Sequence, residues 1–233
     1  MVAGDVVTMM VFHVDDIKIA ATEVTEVVVS ALNQRFPTKH LGEVEWYMGS
    51  EYKRGREKGT LEISQNQFIQ SVLNRFGVSK SSPIPATPSL DLRHVSEEEI
   101  VVNVPFREIM GSLMRIANQT KPDIANAVRV IARFPHDPKS IHYKTAQKIL
   151  EYMNATSESL TFRRDSYSGS VQMEFDLQTY VDADYAHKVG DRHSVSGVAV
   201  CCGGMLVSWS SRTQKCVTLS TTCLLYTSDA ADE

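Results

Sequence analysis

Asp15 and Asp16 stand next to each other between two apolar runs, in the stretch Val11-Phe12-His13-Val14-Asp15-Asp16-Ile17-Lys18-Ile19. Adjacent carboxylates repel, and desolvation beside apolar strands raises their energy further unless a cation offsets it. Hard oxygen ligands of this kind suit Mg²⁺, which binds through one or two carboxylates together with substrate phosphates. Aspartate also favours turns for local hydrogen-bonding reasons, so an Asp-rich turn that holds no ligand stands beside the metal reading. The seven histidines, His13, His40, His94, His136, His142, His187 and His193, are scattered along the chain and read as structural or surface residues. Cys201, Cys202, Cys216 and Cys223 form no CxxC pair, which favours a reducing, intracellular setting over a disulfide framework. A hydrolase finds little support, because G-x-S-x-G, H-E-x-x-H and a phosphate-cradling glycine loop do not occur.

The elements that must position the aspartates follow from periodicity. Apolar residues on either side of the pair predict a β-hairpin over residues 6–21 with both carboxylates at its tip. Thr22 is placed to cap a helix with Glu23 and Glu26 in its first turn, and Val24, Val27, Val28, Ala31 and Leu32 fall at amphipathic spacing. Residues 41–53 read as one strand, reversed by a charged turn at 54–59, with residues 60–64 as its partner. Ser64 and Gln67 have capping-box spacing for a helix carrying Phe68, Ile69, Val72, Leu73 and Phe76 on one face, stopped by Gly77. Pro83, Pro85 and Pro88 make residues 81–92 a strap that is neither helix nor central strand.

Three helices are then predicted to start near Pro105, Pro122 and Pro138, since proline is favoured in a first turn. Their apolar stripes are Phe106, Ile109, Leu113 and Ile116, then Ile124, Ala127, Val128 and Ile131, then Ile141, Ile149, Leu150 and Met153. Their other faces carry Arg107, Arg115, Arg129, Arg133, Lys144 and Lys148. Strands follow at 160–164, 171–182, 194–202 and 205–210, with Gly203-Gly204 as a two-residue hairpin signal.

A chain of 233 residues with 42% apolar and 22% charged residues can bury one large core or two modest ones. The net charge of −4 is uneven, at −4 for residues 1–30, 0 for 31–100, +5 for 101–150 and −5 for 151–233. A basic middle between acidic flanks fits a backbone-binding surface between two metal sites, although a solvated helix face is the commoner source of such a charge run. No apolar run approaches the ~20 residues of a membrane-spanning helix.

In order along the chain, His13-Val14-Asp15-Asp16, Leu41-Gly42 to Tyr47-Met48-Gly49, Ser64-Gln65 to Arg75-Phe76-Gly77, Gly111-Ser112-Leu113-Met114 and Lys121-Pro122-Asp123-Ile124-Ala125 precede a second set. That set is Val181-Asp182-Ala183-Asp184-Tyr185-Ala186, Ser194 to Gly197, Ser208-Trp209 and Leu219-Ser220-Thr221-Thr222. Together they make residues 6–222 resemble the pol polyprotein of copia-type long-terminal-repeat retrotransposons, at the end of the reverse transcriptase and the start of ribonuclease H. The resemblance implies an α+β fold: a partial reverse-transcriptase palm and start of thumb over 1–80, a proline strap with helical thumb and connection over 81–158, and a truncated ribonuclease H-like α/β unit over 159–222. Residues 223–233 read as a non-native tail.

By the same resemblance, Asp15 and Asp16 look like the adjacent palm aspartates that hold the Mg²⁺ (or Mn²⁺) pair of nucleotidyl transfer. Asp182 looks like the first carboxylate of a ribonuclease H metal site, with Asp184 a neighbouring structural residue. Lys39 matches the palm lysine near the incoming nucleotide or is a surface lysine. Trp46, Tyr47, Met48 and Gly49 resemble the primer grip, and Arg115, Arg129 and Lys144 would meet nucleic-acid phosphates. The implied partners are an RNA template, a DNA primer and an RNA–DNA hybrid, in a cytoplasmic particle or the nucleus. The chain departs from the family at His13, where Tyr or Phe is usual, and at Lys18 within a commonly apolar run. It departs again at Cys223-Leu224-Leu225-Tyr226, where Glu-Ala-Glu-Tyr is usual. The first palm aspartate and fingers are expected before residue 1 and the ribonuclease H helix glutamate is expected to be missing, so either inactivity as given or a non-enzymatic relic with a basic binding surface follows.

Overall fold

The computed structural model describes residues 8–21, 26–87, 92, 104–157, 159–163, 176–184 and 194–214. Among them it is an α+β chain of two compact units, Met1–Tyr47 and Met48–Glu233. The predicted helix cap at Thr22, the start of the second predicted late strand and the proposed tail lie outside the described residues.

In the first unit, β1 (Thr8–His13) and β2 (Asp16–Ala21) form the predicted antiparallel hairpin, in a register that closes on the pair His13 and Asp16. The two-residue loop is Val14-Asp15, and Val14 takes φ 53°, the positive value that primed hairpin turns use. Helix α1 (Glu26–Arg35) follows, with an acidic residue at its start and Arg35 at its end, matching the helix dipole. None of its residues is buried, although valines at helical spacing predicted a core face. A hairpin and one helix are too few layers to enclose a core, so an apolar stripe alone does not guarantee burial.

The strand expected over 41–53 is broken where the first unit ends and the second begins. Trp46 and Tyr47 form the two-residue strand β3, Met48 and Gly49 turn with φ 50° and 76°, and β4 (Ser50–Gly55) begins after them. Two consecutive residues at positive φ cannot continue a pleated strand, and that conformation is costly for methionine. Strand β4 pairs with β5 (Thr60–Ser64) as expected, Gly55 opposite Thr60. Helix α2 (Asn66–Arg75) then starts from Gln65, not from a Ser64 capping box. The Ser64 hydroxyl instead donates to Glu51 Oε2 across the sheet at 3.3 Å. The predicted apolar face holds: Ile69, Val72 and Leu73 are buried.

Helix α3 (Phe106–Gln119) buries Phe106, Ile109, Leu113 and Ile116, the predicted stripe, together with Met110 and Ala117. Pro122 opens a 3₁₀ turn (Pro122–Ile124) that runs into α4 (Ala125–Ile131), and α5 is Ser140–Ala155. Side chains from α2, α3, α4 and α5 form one apolar core in which Leu113, Ile116, Ile124, Ile131 and Ile149 are fully enclosed. His142 is a core histidine. Its Nδ1 accepts from the Lys139 N–H at 3.0 Å, its Nε2 donates to the Leu92 carbonyl at 2.9 Å, and its ring stacks on Phe134.

Strand β6 (Leu160–Arg163) pairs antiparallel with β5, Ile63 opposite Leu160, so it extends the β4–β5 sheet instead of opening the last one. The last sheet is β7 (Leu177–Asp184), β8 (Val195–Cys202) and β9 (Met205–Thr213), antiparallel in that order. Gly203 and Gly204 make the predicted turn at φ 55° and 74°. A bulge between Val200 and Cys201 shifts the β8–β9 register.

Candidate metal and nucleic-acid sites

The hairpin tip carries both adjacent carboxylates into solvent. Asp15 lies in the loop and Asp16 opens β2, both exposed, and Val14 beside them is 90% exposed. Two exposed hard-oxygen donors fit the way Mg²⁺ is held, by one or two carboxylates with the rest of its shell from water or phosphate. Among the described residues no group of three or more His, Cys, Asp or Glu side chains could by itself hold a metal ion. Lys18, the charged residue within the apolar run of β2, lies with its ammonium 3.7 Å from the centre of the Tyr47 ring, within the first unit. The pairing tethers Tyr47 to the hairpin, and contacts of this kind contribute about 0.5–1 kcal/mol at exposed sites. Lys39 is exposed in the irregular segment after α1.

In the second unit, three of the expected contact residues meet. Arg115, exposed on α3, donates from Nη2 to the Met48 carbonyl at 2.8 Å, and its guanidinium lies 4.6 Å from the centre of the Phe68 ring. The same guanidinium fills the space that a Cβ on Gly49 would take. Three elements of distant sequence, the 48–49 turn, α2 and α3, thus converge on one side chain.

The other basic side chains separate. Arg129, half-buried on α4, turns into the protein: it donates to Ser211 Oγ at 3.1 Å and Thr213 Oγ1 at 2.8 Å on β9, and to Asn126. Burial pushes its guanidinium below the usual arginine range, Arg133 adds to that push, and Asp184 opposes it. Arg107 bonds Pro135 O and lies 3.0 Å from His136 Nδ1, while Lys148 donates to Thr87 at 2.9 Å. Lys144 remains exposed on α5.

Asp182 is exposed on β7, an edge strand, and its Oδ1 accepts the Ala183 N–H at 2.9 Å. Directly opposed residues of an antiparallel sheet share a face. Asp182 opposes Gly197 and Gly197 opposes Ser211, while Asp184 opposes Val195 and Val195 opposes Thr213. Both aspartates therefore lie on the sheet face to which Arg129 bonds. Trp209, next on that face, donates its indole N–H to the Ala117 carbonyl at 2.8 Å. That carbonyl is among the last four of α3, which have no intrahelical partner, so the sheet caps the helix. Ser208-Trp209 is a family motif in the sequence, and nothing local in it predicts the docking of β9 on α3 and α4.

The chain is 32% identical over 224 residues to the retrovirus-related Pol polyprotein from transposon TNT 1-94 of Nicotiana tabacum, covering 92% of this chain and 16% of that protein. It is 32% identical over 231 residues to the Pol polyprotein from transposon RE1 of Arabidopsis thaliana, covering 97% of this chain and 15% of that one. The chain belongs to the copia-type transposon Pol polyproteins. It spans about a sixth of the length of these curated relatives. The copia-type Pol chain is also 26% identical over 217 residues to the uncharacterized mitochondrial protein AtMg00810 of Arabidopsis thaliana, covering 91% of this chain and 86% of that protein. No protein-family model and no solved structure matches it significantly. Among the described residues, no helix of this Pol chain is long and apolar enough to cross a membrane.

Proposed function

We propose that this Pol chain contributes the later palm, thumb and connection of an RNA-directed DNA polymerase, followed by the opening sheet of a ribonuclease H, to intracellular copying of a retrotransposon RNA. The observation that carries the reading is the β1–β2 hairpin. It places two adjacent carboxylates in solvent at its tip, in a chain aligned with transposon Pol polyproteins over more than nine-tenths of its length. Asp15 and Asp16 would hold Mg²⁺ or Mn²⁺ together with substrate phosphates, and Asp182 would supply one ligand of a separate site on β7. A bound pair of such ions supplies charge stabilisation to the attacking and leaving oxygens of phosphoryl transfer. What the chain's own residues do is hold the carboxylates in water at a tight turn, offer the Met48–Gly49 turn to a primer end and present Lys144 to phosphates.

Two measurements on the whole chain test this. An RNA–DNA primer-template should bind in fluorescence anisotropy with an affinity that falls log-linearly with salt. Mn²⁺ should broaden NMR signals of residues 13–18 and leave them sharp in an Asp15→Asn, Asp16→Asn double variant. Absence of both effects overturns the reading. Salt-dependent binding without broadening at the hairpin would leave only the basic surface, the non-enzymatic reading.

A further inference from the structure

We infer that Arg115 is a positioning residue that fixes the Met48–Gly49 turn, and is not itself a phosphate contact. The inference deepens the proposed function, because it rests on that turn being the part offered to a primer end. Its grounds are the convergence on one guanidinium of three constraints. Arg115 Nη2 donates to the Met48 carbonyl at 2.8 Å. The plane of charge lies 4.6 Å from the Phe68 ring centre, which fixes the side chain's direction on α2. The absence of a Cβ at Gly49 is what lets the guanidinium pass beneath the turn.

The turn needs such a clamp. Met48 at φ 50° and Gly49 at φ 76° are consecutive left-handed residues, and methionine there is disfavoured relative to an extended conformation. Met48 is also substantially exposed, so packing of its own side chain does not hold it. A charge-assisted bond from a fork-shaped donor to the Met48 carbonyl is the contact that makes the strained turn the preferred one. A guanidinium already spent on a carbonyl, a ring face and a glycine has less to give to a phosphate. Lysine could keep the charge at this place but not the planar stack or the fork.

The test uses the whole chain, with Arg115→Lys, Arg115→Met and Gly49→Ala as variants, and two readouts. Limited chymotrypsin digestion should cut after Tyr47 and Met48 about tenfold or more faster in all three variants, the charge-assisted bond being lost or displaced in each. In anisotropy titrations with an RNA–DNA primer-template, affinity should fall in all three while the slope of log affinity against log salt stays that of the parent. A phosphate contact behaves differently: its removal lowers the slope by about one, and lysine largely restores it. Unchanged cleavage in Arg115→Met overturns the inference. So does a slope lowered by one in Arg115→Met but not in Arg115→Lys. If the parent chain binds no primer-template, the proposed function fails while the digestion still decides whether Arg115 holds the turn.

Discussion

Lys121 is 1% exposed, sits between the end of α3 and the 3₁₀ turn, and its Nζ has no hydrogen-bond partner among the described residues. An amine enclosed in this way has given up its water without replacement, whether or not it carries charge. Replacing it by methionine keeps an unbranched chain of similar length and removes the orphaned polar atom. Leaving a buried donor unsatisfied costs about 1–3 kcal/mol, and a volume-conserving swap costs less than about 1.5 kcal/mol, so the balance for Lys121→Met runs from near zero to a gain of about 3 kcal/mol. For a folded unit of this size each kcal/mol moves the melting temperature by about 2–4 °C, which sets an expected rise of up to about 12 °C. The assay is thermal unfolding followed by circular dichroism, with urea titration of the same variant to check that the m-value is unchanged. Lys121→Ala should be less stable than Lys121→Met, because it also opens a cavity. A fall in stability of more than about 1.5 kcal/mol in Lys121→Met would refute the reasoning, since it would mean that the ammonium has a stabilising partner in solution.

Gln65 is buried and accepts from the Thr120 hydroxyl at 2.8 Å while its amide donates to Gln119. Gln65→Leu should therefore destabilise the second unit by about 2–3 kcal/mol in urea titration, by stranding both partners. Trp209→Phe keeps an aromatic ring, though a smaller one, and loses the indole bond to the Ala117 carbonyl. A loss of about 1 kcal/mol is expected, with faster hydrogen exchange in β9, and an unchanged exchange pattern would argue that the sheet is held by other contacts. Val14→Gly removes a β-branched residue from positive φ at the hairpin tip, a strain of about 1–2 kcal/mol that glycine's greater unfolded-state freedom offsets by about half. Amides of β1 and β2 should exchange more slowly in that variant, and faster exchange would show that the turn adopts another conformation.

The elements with local causes were legible from the residues alone. Apolar spacing marked the buried faces of α2 and α3, the flanking strands marked the Asp15–Asp16 hairpin, and Gly203-Gly204 marked the β8–β9 turn, because each depends on residues a few positions apart. The ordered motifs were enough to name the transposon family. What depended on distant neighbours was not legible. A strand pattern says that residues 160–163 alternate but not which edge they join, and they join the edge of β5 that β4 leaves unpaired, about a hundred residues earlier. Valines of α1 carry a proper stripe, yet among the described residues Val28 and Val29 are only half-buried and none of the helix is fully covered. The arginines show the same limit most clearly. Periodicity put Arg115 and Arg129 alike on the polar faces of neighbouring helices, and the family resemblance implied phosphates as partners for both. The tertiary structure turns one under the Met48–Gly49 turn and the other onto the hydroxyls of β9, since where a long charged side chain ends is decided by the acceptors that packing brings within its reach.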